Sequence, residues 1–220
     1  MSDFILVAHG FPSNPDPAEA ALAALAQQVG ARLPGTRVLA ATLAKPGALA
    51  RVLETLPRAR IYPFFMAEGW FTSRQLPRRL ADLGSRAEIL SPFGADPGLP
   101  ALVIKAVAEA GPGDLILCAH GSQVARSSRM ATMAMAERIG AHLPGRRIVP
   151  AFLEEDPHLR DIAAQHPEAI CLPFFALRAG HVARDIPEAL VLAGFRGRLL
   201  PAIGERSEVA DLIAAALRRA

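Results

Sequence analysis

Short, near-continuous apolar runs alternate along the chain with longer stretches in which alanine and leucine recur at helical spacing. In the first half, Asp3–Ala8, Arg37–Leu43, Ala59–Phe65 and Ala87–Ser91 read as strands, and a helix from about Ala18 to Arg32 follows the first of them. The second half repeats the pattern with Asp114–Ala119, Arg147–Leu153, Ala169–Phe175 and Arg198–Pro201, and a helix near Arg206–Arg219 ends the chain. Strands that are apolar throughout, rather than alternating, belong to a parallel sheet covered on both faces by helices. The pattern therefore predicts an α/β protein of two parts, each with about four parallel strands.

The two parts are copies of one unit. ILVAHGF from Ile5 matches ILCAHGS from Ile116, which sets His9 against His120 and Gly10 against Gly121. LPGTRVLAATL from Leu33 matches LPGRRIVPAFL from Leu143, and IYPFF from Ile61 matches CLPFF from Cys171, both 110 residues apart. Pro77 and Pro187, Leu80 and Leu190, and Gly94 and Gly204 hold the same spacing. An internal repeat of this length implies a duplicated fold. The expected domains are residues 1–111 and 112–220, joined near Gly111-Pro112-Gly113.

Composition narrows the picture. The chain has 220 residues, 51% apolar and 20% charged, a globular balance that excludes disorder. The mean hydropathy of +0.25 raises the question of a membrane, but no apolar run approaches the ~18–20 residues of a spanning helix. The opening MSDFILVAHG has no basic region before its apolar run and does not read as a signal peptide, so a soluble, cytoplasmic protein is expected. Lys45 and Lys105 are the only lysines among 24 basic residues. A GC-rich coding sequence explains the arginine bias without function, and no basic run interleaved with aromatics marks a nucleic-acid binder. Cys118 and Cys171 sit in strand-like runs, read as packing residues, and form no C-x-x-C zinc pair. A phosphate loop, a G-x-G-x-x-G fingerprint and a G-x-S-x-G elbow are all missing, so ATP, nicotinamide and serine-hydrolase chemistry have no anchor.

Ligands of parallel sheets bind beyond the carboxyl ends of the strands. In the second half His120 follows the first strand, Glu154 the second and His181 the third. Each alone has an ordinary structural reading. Together, two imidazoles and a carboxylate on one sheet edge suit a divalent first-row metal. The matching first-half positions are His9, Ala44 and Phe71, so a metal site is expected only in the second half. Trp70 and Phe71 serve either as packing between the halves or as a flat apolar surface for a planar ligand. Ser122, Arg126 and Arg129 follow His120, and Arg178 and Arg184 flank His181, where arginines can pair with anionic groups of a substrate. Asp185 and Glu188 have capping-box spacing and predict a helix start. His142, His158 and His166 read as surface residues, with His158 a remote alternative donor beside Glu154.

Through LCAHGS, the AFLE run and PFFALRAGHVARDIPEAL the sequence resembles the ATP-independent class II tetrapyrrole chelatases, which include the sirohydrochlorin cobalt- and iron-chelatases. The resemblance covers the whole chain, because double-length members are two such repeats. It implies two flavodoxin-like halves around a tetrapyrrole cleft, with metal contacts at His120, Glu154 and His181. Many double-length members keep the histidine pair in the first half. Retention in the second half is similar instead to the anaerobic cobalt chelatases and protohaem ferrochelatases. The implied activity is a lyase inserting Co²⁺, Fe²⁺ or Ni²⁺, as substrate and without a resident cofactor, into sirohydrochlorin or a related tetrapyrrole of cobalamin or sirohaem biosynthesis. His120 and His181 would be ligands, one of them also the proton acceptor, and Glu154 a third ligand. Ser122, Arg126, Arg178, Arg184, Trp70, Phe71 and His9 would meet the macrocycle. The alternative from another class is a non-catalytic metal or tetrapyrrole carrier on the same fold. No nucleic-acid or membrane partner is expected, and two fused halves are compatible with a monomer.

Overall fold

The computed structural model describes residues 3–124, 126–178 and 181–220, with His181 described by its backbone alone. In chain order the elements are β1 (Phe4–Ala8), α1 (Pro15–Ala31), β2 (Val38–Thr42), α2 (Ala48–Thr55), β3 (Arg60–Pro63), a π-helical turn (Phe71–Gln75), α3 (Leu76–Asp82) and α4 (Leu99–Glu109). The second repeat follows with β4 (Leu115–Ala119), α5 (Ser127–His142), β5 (Ile148–Phe152), α6 (Leu159–Gln165), β6 (Ile170–Pro173), a π-helical turn (His181–Asp185), α7 (Ile186–Leu192), β7 (Arg198–Leu199) and α8 (Val209–Arg219).

One sheet has the order β2-β1-β3 and the other β5-β4-β6-β7, with every described pairing parallel. This is the flavodoxin order, in which the chain reverses direction of travel beside the first strand. The central strands FILVA and LILCA are buried at all five positions, as expected of strands covered on both faces. Cys118 and Cys171 are fully buried free thiols in the second core, beside Ile116 and Ala151. Burial, with Cys171 as neighbour, pushes the Cys118 thiol well above its ordinary range.

The first sheet has three strands, not the four expected. Ala87–Ser91 contributes a single bridge, Ile61 to Ile89, flanked by Ile61 N donating to Glu88 O and Leu90 N to Ile61 O. Pro92, which lacks an N–H, then leads directly into a short 3₁₀ turn. The capping expectation at Asp185 also fails. Asp185 has helical angles and makes no side-chain cap, because helical geometry begins four residues earlier at His181. Both repeats carry this π turn, and the cause is the matched proline. In a regular helix the ring of Pro77 or Pro187 would collide with the carbonyl four residues back. A widened turn relieves the collision, and Leu76 N reaches back five residues to Phe71 O.

The repeat boundary and the compact units do not coincide. One unit comprises the chain up to Asp96 together with Ser207–Ala220, and the other Pro97–Arg206. The helix that ends each repeat therefore belongs to the other repeat's unit. In the first unit α8 is tied to α1 by Arg32 Nε to Asp211 Oδ1 (2.6 Å) and by Arg218 Nη2 to Arg32 O (2.6 Å). In the second, Arg146 Nη1 donates to Val107 O (2.8 Å) at the end of α4. Each helix is also pinned by one ion pair at equivalent positions with the charges inverted. Arg219 of α8 meets Asp96 at 2.9 Å, and Glu109 of α4 meets Arg206 at 2.7 Å.

Candidate functional site

Parallel pairing puts the carboxyl ends of β4, β5 and β6 on one edge of the second unit. The β4–β5 ladder continues past its strands: Leu153 N donates to Ala119 O (3.2 Å) and Glu154 N to His120 O (3.0 Å). His120 and Glu154 are thus neighbours through the backbone, and both are exposed at the edge. Phe174 N donates to Cys118 O (2.6 Å), which brings the β6 exit to the same edge. The chain then runs to the π turn that opens at His181.

His120 Nδ1 lies 2.9 Å from Gly121 O. A carbonyl only accepts, so Nδ1 carries the proton and the lone pair of the neutral ring is on Nε2. Gly121 takes φ +74°, and a Cβ there would lie 2.8 Å from Glu155 Cγ and 2.9 Å from Phe152 Cβ. Only glycine makes this turn. The side chain of His181 lies outside the described residues. Among the described residues no three His, Cys, Asp or Glu side chains gather into a metal-holding group.

The remaining expected residues fall into two settings. Ser122 is half-buried, and its Oγ accepts from Val124 N (3.3 Å). Arg126 is exposed at the start of α5. Arg178 and Arg184 are exposed, with Arg178 Nη1 3.9 Å from Glu205 Oε1 and Arg184 Nε 2.9 Å from Asp185 Oδ1. His9, Phe71 and Trp70 lie together in the first unit. The His9 and Phe71 rings are 4.2 Å apart between centroids, Trp70 meets Phe71 edge-on at 5.2 Å, and Trp70 is 59% exposed. The position matching His181 is thus filled by a ring that packs on the surviving histidine.

His142 is a surface residue, its Nδ1 on Arg138 O (2.9 Å). His158 is partly exposed, with Nε2 3.7 Å from Asp156 Oδ1. His166 departs from expectation. Its side chain is only 15% exposed, with Nδ1 3.2 Å from Asp114 Oδ2, because the chain turns inward at Pro167 to enter β6.

Sequence reasoning passed over Glu155. Its Oε1 accepts from Ser122 N (3.1 Å), and Arg129 Nε lies 3.4 Å from its Oε2. Arg129 also donates to Asp156 O (2.7 Å) and stands 5.0 Å from the centroid of the Phe152 ring. The available signal was the Glu-Glu pair in AFLEED, where the first repeat has Ala44-Lys45.

The second of two duplicated parallel sheets of flavodoxin order thus presents an imidazole and a carboxylate side by side at one strand edge. The sequence profile of the CbiX family matches residues 3–110 and again 114–220, and the chain belongs to that family. No curated protein is similar enough in sequence to count as a relative. Among solved structures, the chain is similar to a CbiX described as the terminal enzyme for biosynthesis of siroheme in denitrifying bacteria. The identity is 42%, with 99% of both chains covered and a TM-score of 0.90. Two SirB structures share the fold at lower identity, covering 100% of this chain and 95% of theirs. SirB from Bacillus subtilis with Fe³⁺ has 17% identity and a TM-score of 0.75. The sirohydrochlorin chelatase SirB from Bacillus subtilis subspecies spizizenii with cobalt has 15% identity and a TM-score of 0.76.

Proposed function

We propose that the protein is an ATP-independent lyase that inserts Fe²⁺ into sirohydrochlorin at the carboxyl edge of the second unit's sheet. The reading is carried by the full-length 42% identity to a CbiX that acts as the terminal enzyme of siroheme biosynthesis. The adjacency of His120 and Glu154 at that edge supports it. Inserting a divalent ion into the free-base ring releases two pyrrole protons, so the site must strip water from the ion, hold it, and take up protons. Nε2 of His120 bears the lone pair and serves as a ligand to the substrate ion. Glu154 supplies an oxygen donor that suits the same class of ion, and His181 supplies the second imidazole. As the ion passes to the ring, the imidazole that releases it takes up one of the two pyrrole protons, a role a neutral imidazole performs near neutral pH, and Glu154 takes the other and relays it outward. Arg126, Arg178 and Arg184 meet the carboxylates of the macrocycle, and Ser122 contributes to binding it.

The test is the absorbance of metal-free sirohydrochlorin mixed with enzyme and Fe²⁺, with parallel arms for Co²⁺ and Ni²⁺. Wild-type protein is expected to convert the spectrum fastest with Fe²⁺. His120→Ala and His181→Ala are expected to abolish conversion while keeping the wild-type melting temperature. Wild-type turnover in both variants would refute the assignment, and metal binding without any spectral change would make the protein a carrier.

A further inference from the structure

We infer that Glu155 is a positioning residue for His120, acting through the one peptide group that joins Gly121 to Ser122. The metal-binding part of this inference rests on the proposed function; the hold on the ring does not.

The two ends of that peptide are engaged in sequence. Its N–H, on Ser122, donates to Glu155 Oε1 at 3.1 Å. Its carbonyl, on Gly121, accepts from His120 Nδ1 at 2.9 Å. The peptide is planar and rigid, so fixing the N–H direction fixes the carbonyl direction. A negative carboxylate on the N–H also polarises the carbonyl and makes it a stronger acceptor, the cooperative effect of chained hydrogen bonds. The result holds the proton on Nδ1 and leaves Nε2 as the coordinating atom. Metal-binding histidines are commonly oriented by a carboxylate or a carbonyl on the far nitrogen; here one acts through the other.

Glu155 is itself held. Its side chain is 16% exposed, and Arg129 lies 3.4 Å from Oε2. The missing Cβ of Gly121 is what lets the turn sit on the Glu155 stem. The first repeat is an internal control. Lys45 stands in place of Glu155 and pairs with Asp16 at 3.1 Å. That repeat has also replaced the matches of Glu154 and His181 by Ala44 and Phe71, and its His9 packs on Phe71. The carboxylate behind the histidine occurs in the repeat that has the donor set and is absent from the one that lost it.

The experiment uses the full chain as Glu155→Ala and Glu155→Gln, with His120→Ala as reference. Nitrogen NMR of the His120 ring reads the tautomer, and calorimetric titration with Co²⁺ reads affinity. In Glu155→Ala the Nδ1–H form is expected to fall from predominant to mixed. Co²⁺ affinity is expected to fall about 10–100-fold, the usual effect of removing an outer partner of a metal ligand. Glu155→Gln, which keeps an acceptor oxygen and the shape, is expected to shift both readouts the same way by less. A wild-type tautomer and wild-type Co²⁺ affinity in whichever variants fold would overturn the inference. If the tautomer shifts but neither these variants nor His120→Ala changes Co²⁺ affinity, Glu155 holds the ring and the metal-binding reading fails.

Discussion

The exchanged helices carry complementary charges that fit only the other repeat's unit. Asp96 and Arg206 are equivalent positions, as are Glu109 and Arg219. Returned to its own repeat, α4 would set Glu109 against Asp96, and α8 would set Arg219 against Arg206. The decisive perturbation is Arg219→Glu, alone and combined with Asp96→Arg, which rebuilds the second unit's polarity in the first. Asp96 is 4% exposed at its side chain and Arg219 53%, with 2.9 Å between them. Unit charges ~4 Å apart interact by about 4 kcal/mol at an effective dielectric of ~20. The exposed arginine side screens part of this, so attraction of about 1–2 kcal/mol remains. Arg219→Glu turns it into repulsion and is expected to cost about 2–4 kcal/mol, because it sets a like charge against a buried carboxylate. The assay is urea unfolding followed by fluorescence of Trp70, the only tryptophan and a residue of the first unit. The double variant is expected to recover about 1–2 kcal/mol relative to the sum of the single effects, the signature of a direct coupling. Additivity within about 0.5 kcal/mol would show that the pair does not select the helix arrangement.

Two further outcomes follow from buried groups. Tyr62 is the only tyrosine, and its hydroxyl is buried with no hydrogen-bond partner among the described residues. Tyr62→Phe is therefore expected to keep or raise stability by about 1 kcal/mol, since it removes an unpaired polar group without leaving a cavity. Burial, with Asp96 nearby, pushes the Tyr62 phenol far up. A raised acid contributes stability fully below its unfolded value of about 10 and loses it as pH rises further. Phenolate absorbance should then appear only with unfolding, and Tyr62→Phe should flatten the alkaline limb; a phenolate signal in folded protein near pH 10 would contradict this. Gly121→Ala forces a Cβ to within 2.8 Å of Glu155 at φ +74°. It should cost about 1–2 kcal/mol by thermal melting and remove chelatase turnover; an active, equally stable variant would show the turn to be adaptable.

The fold was legible because its signals are local and repeated. Apolar runs marked every strand of two residues or more, and the matched triplets around His9 and His120 placed the strand exits. The sequence could not show that Ala87–Ser91 pairs through one bridge, since pairing depends on where Pro92 diverts the chain. Helix exchange was equally hidden: a repeat boundary records gene duplication, while packing is chosen by side chains such as Asp96 and Glu109 on either side of a connection. At the site, the residues with donor atoms stood out, but Glu155 did not, because its role lies in accepting one backbone N–H. The π turn follows from Pro187 and overrode the capping box at Asp185, a case of steric necessity outranking a side-chain preference.

The same scaffold has been given opposite electrostatics at its two strand edges. In the first unit the acids are on the opening helix and the base is on the loop. Asp16 and Glu19 lie at the start of α1, where a helix dipole favours negative charge, and Glu19 Oε2 accepts from Thr42 N (2.7 Å) and Thr42 Oγ1 (2.6 Å). Lys45 on the loop pairs with Asp16 at 3.1 Å. In the second unit Arg126 and Arg129 stand at or near the start of α5, where positive charge adds to the positive end of the helix. Arg129 is balanced by Glu155, while Arg126 is exposed beside the turn that carries His120. Cations at a helix start cost the isolated protein ~0.3–1 kcal/mol each. They lower that cost when an anion approaches, and the macrocycle proposed as substrate brings carboxylates. The repeat proposed to hold the metal donors is therefore also the one that places an exposed arginine, Arg126, at a helix start beside the His120 turn, while the first repeat pairs its loop cation with Asp16.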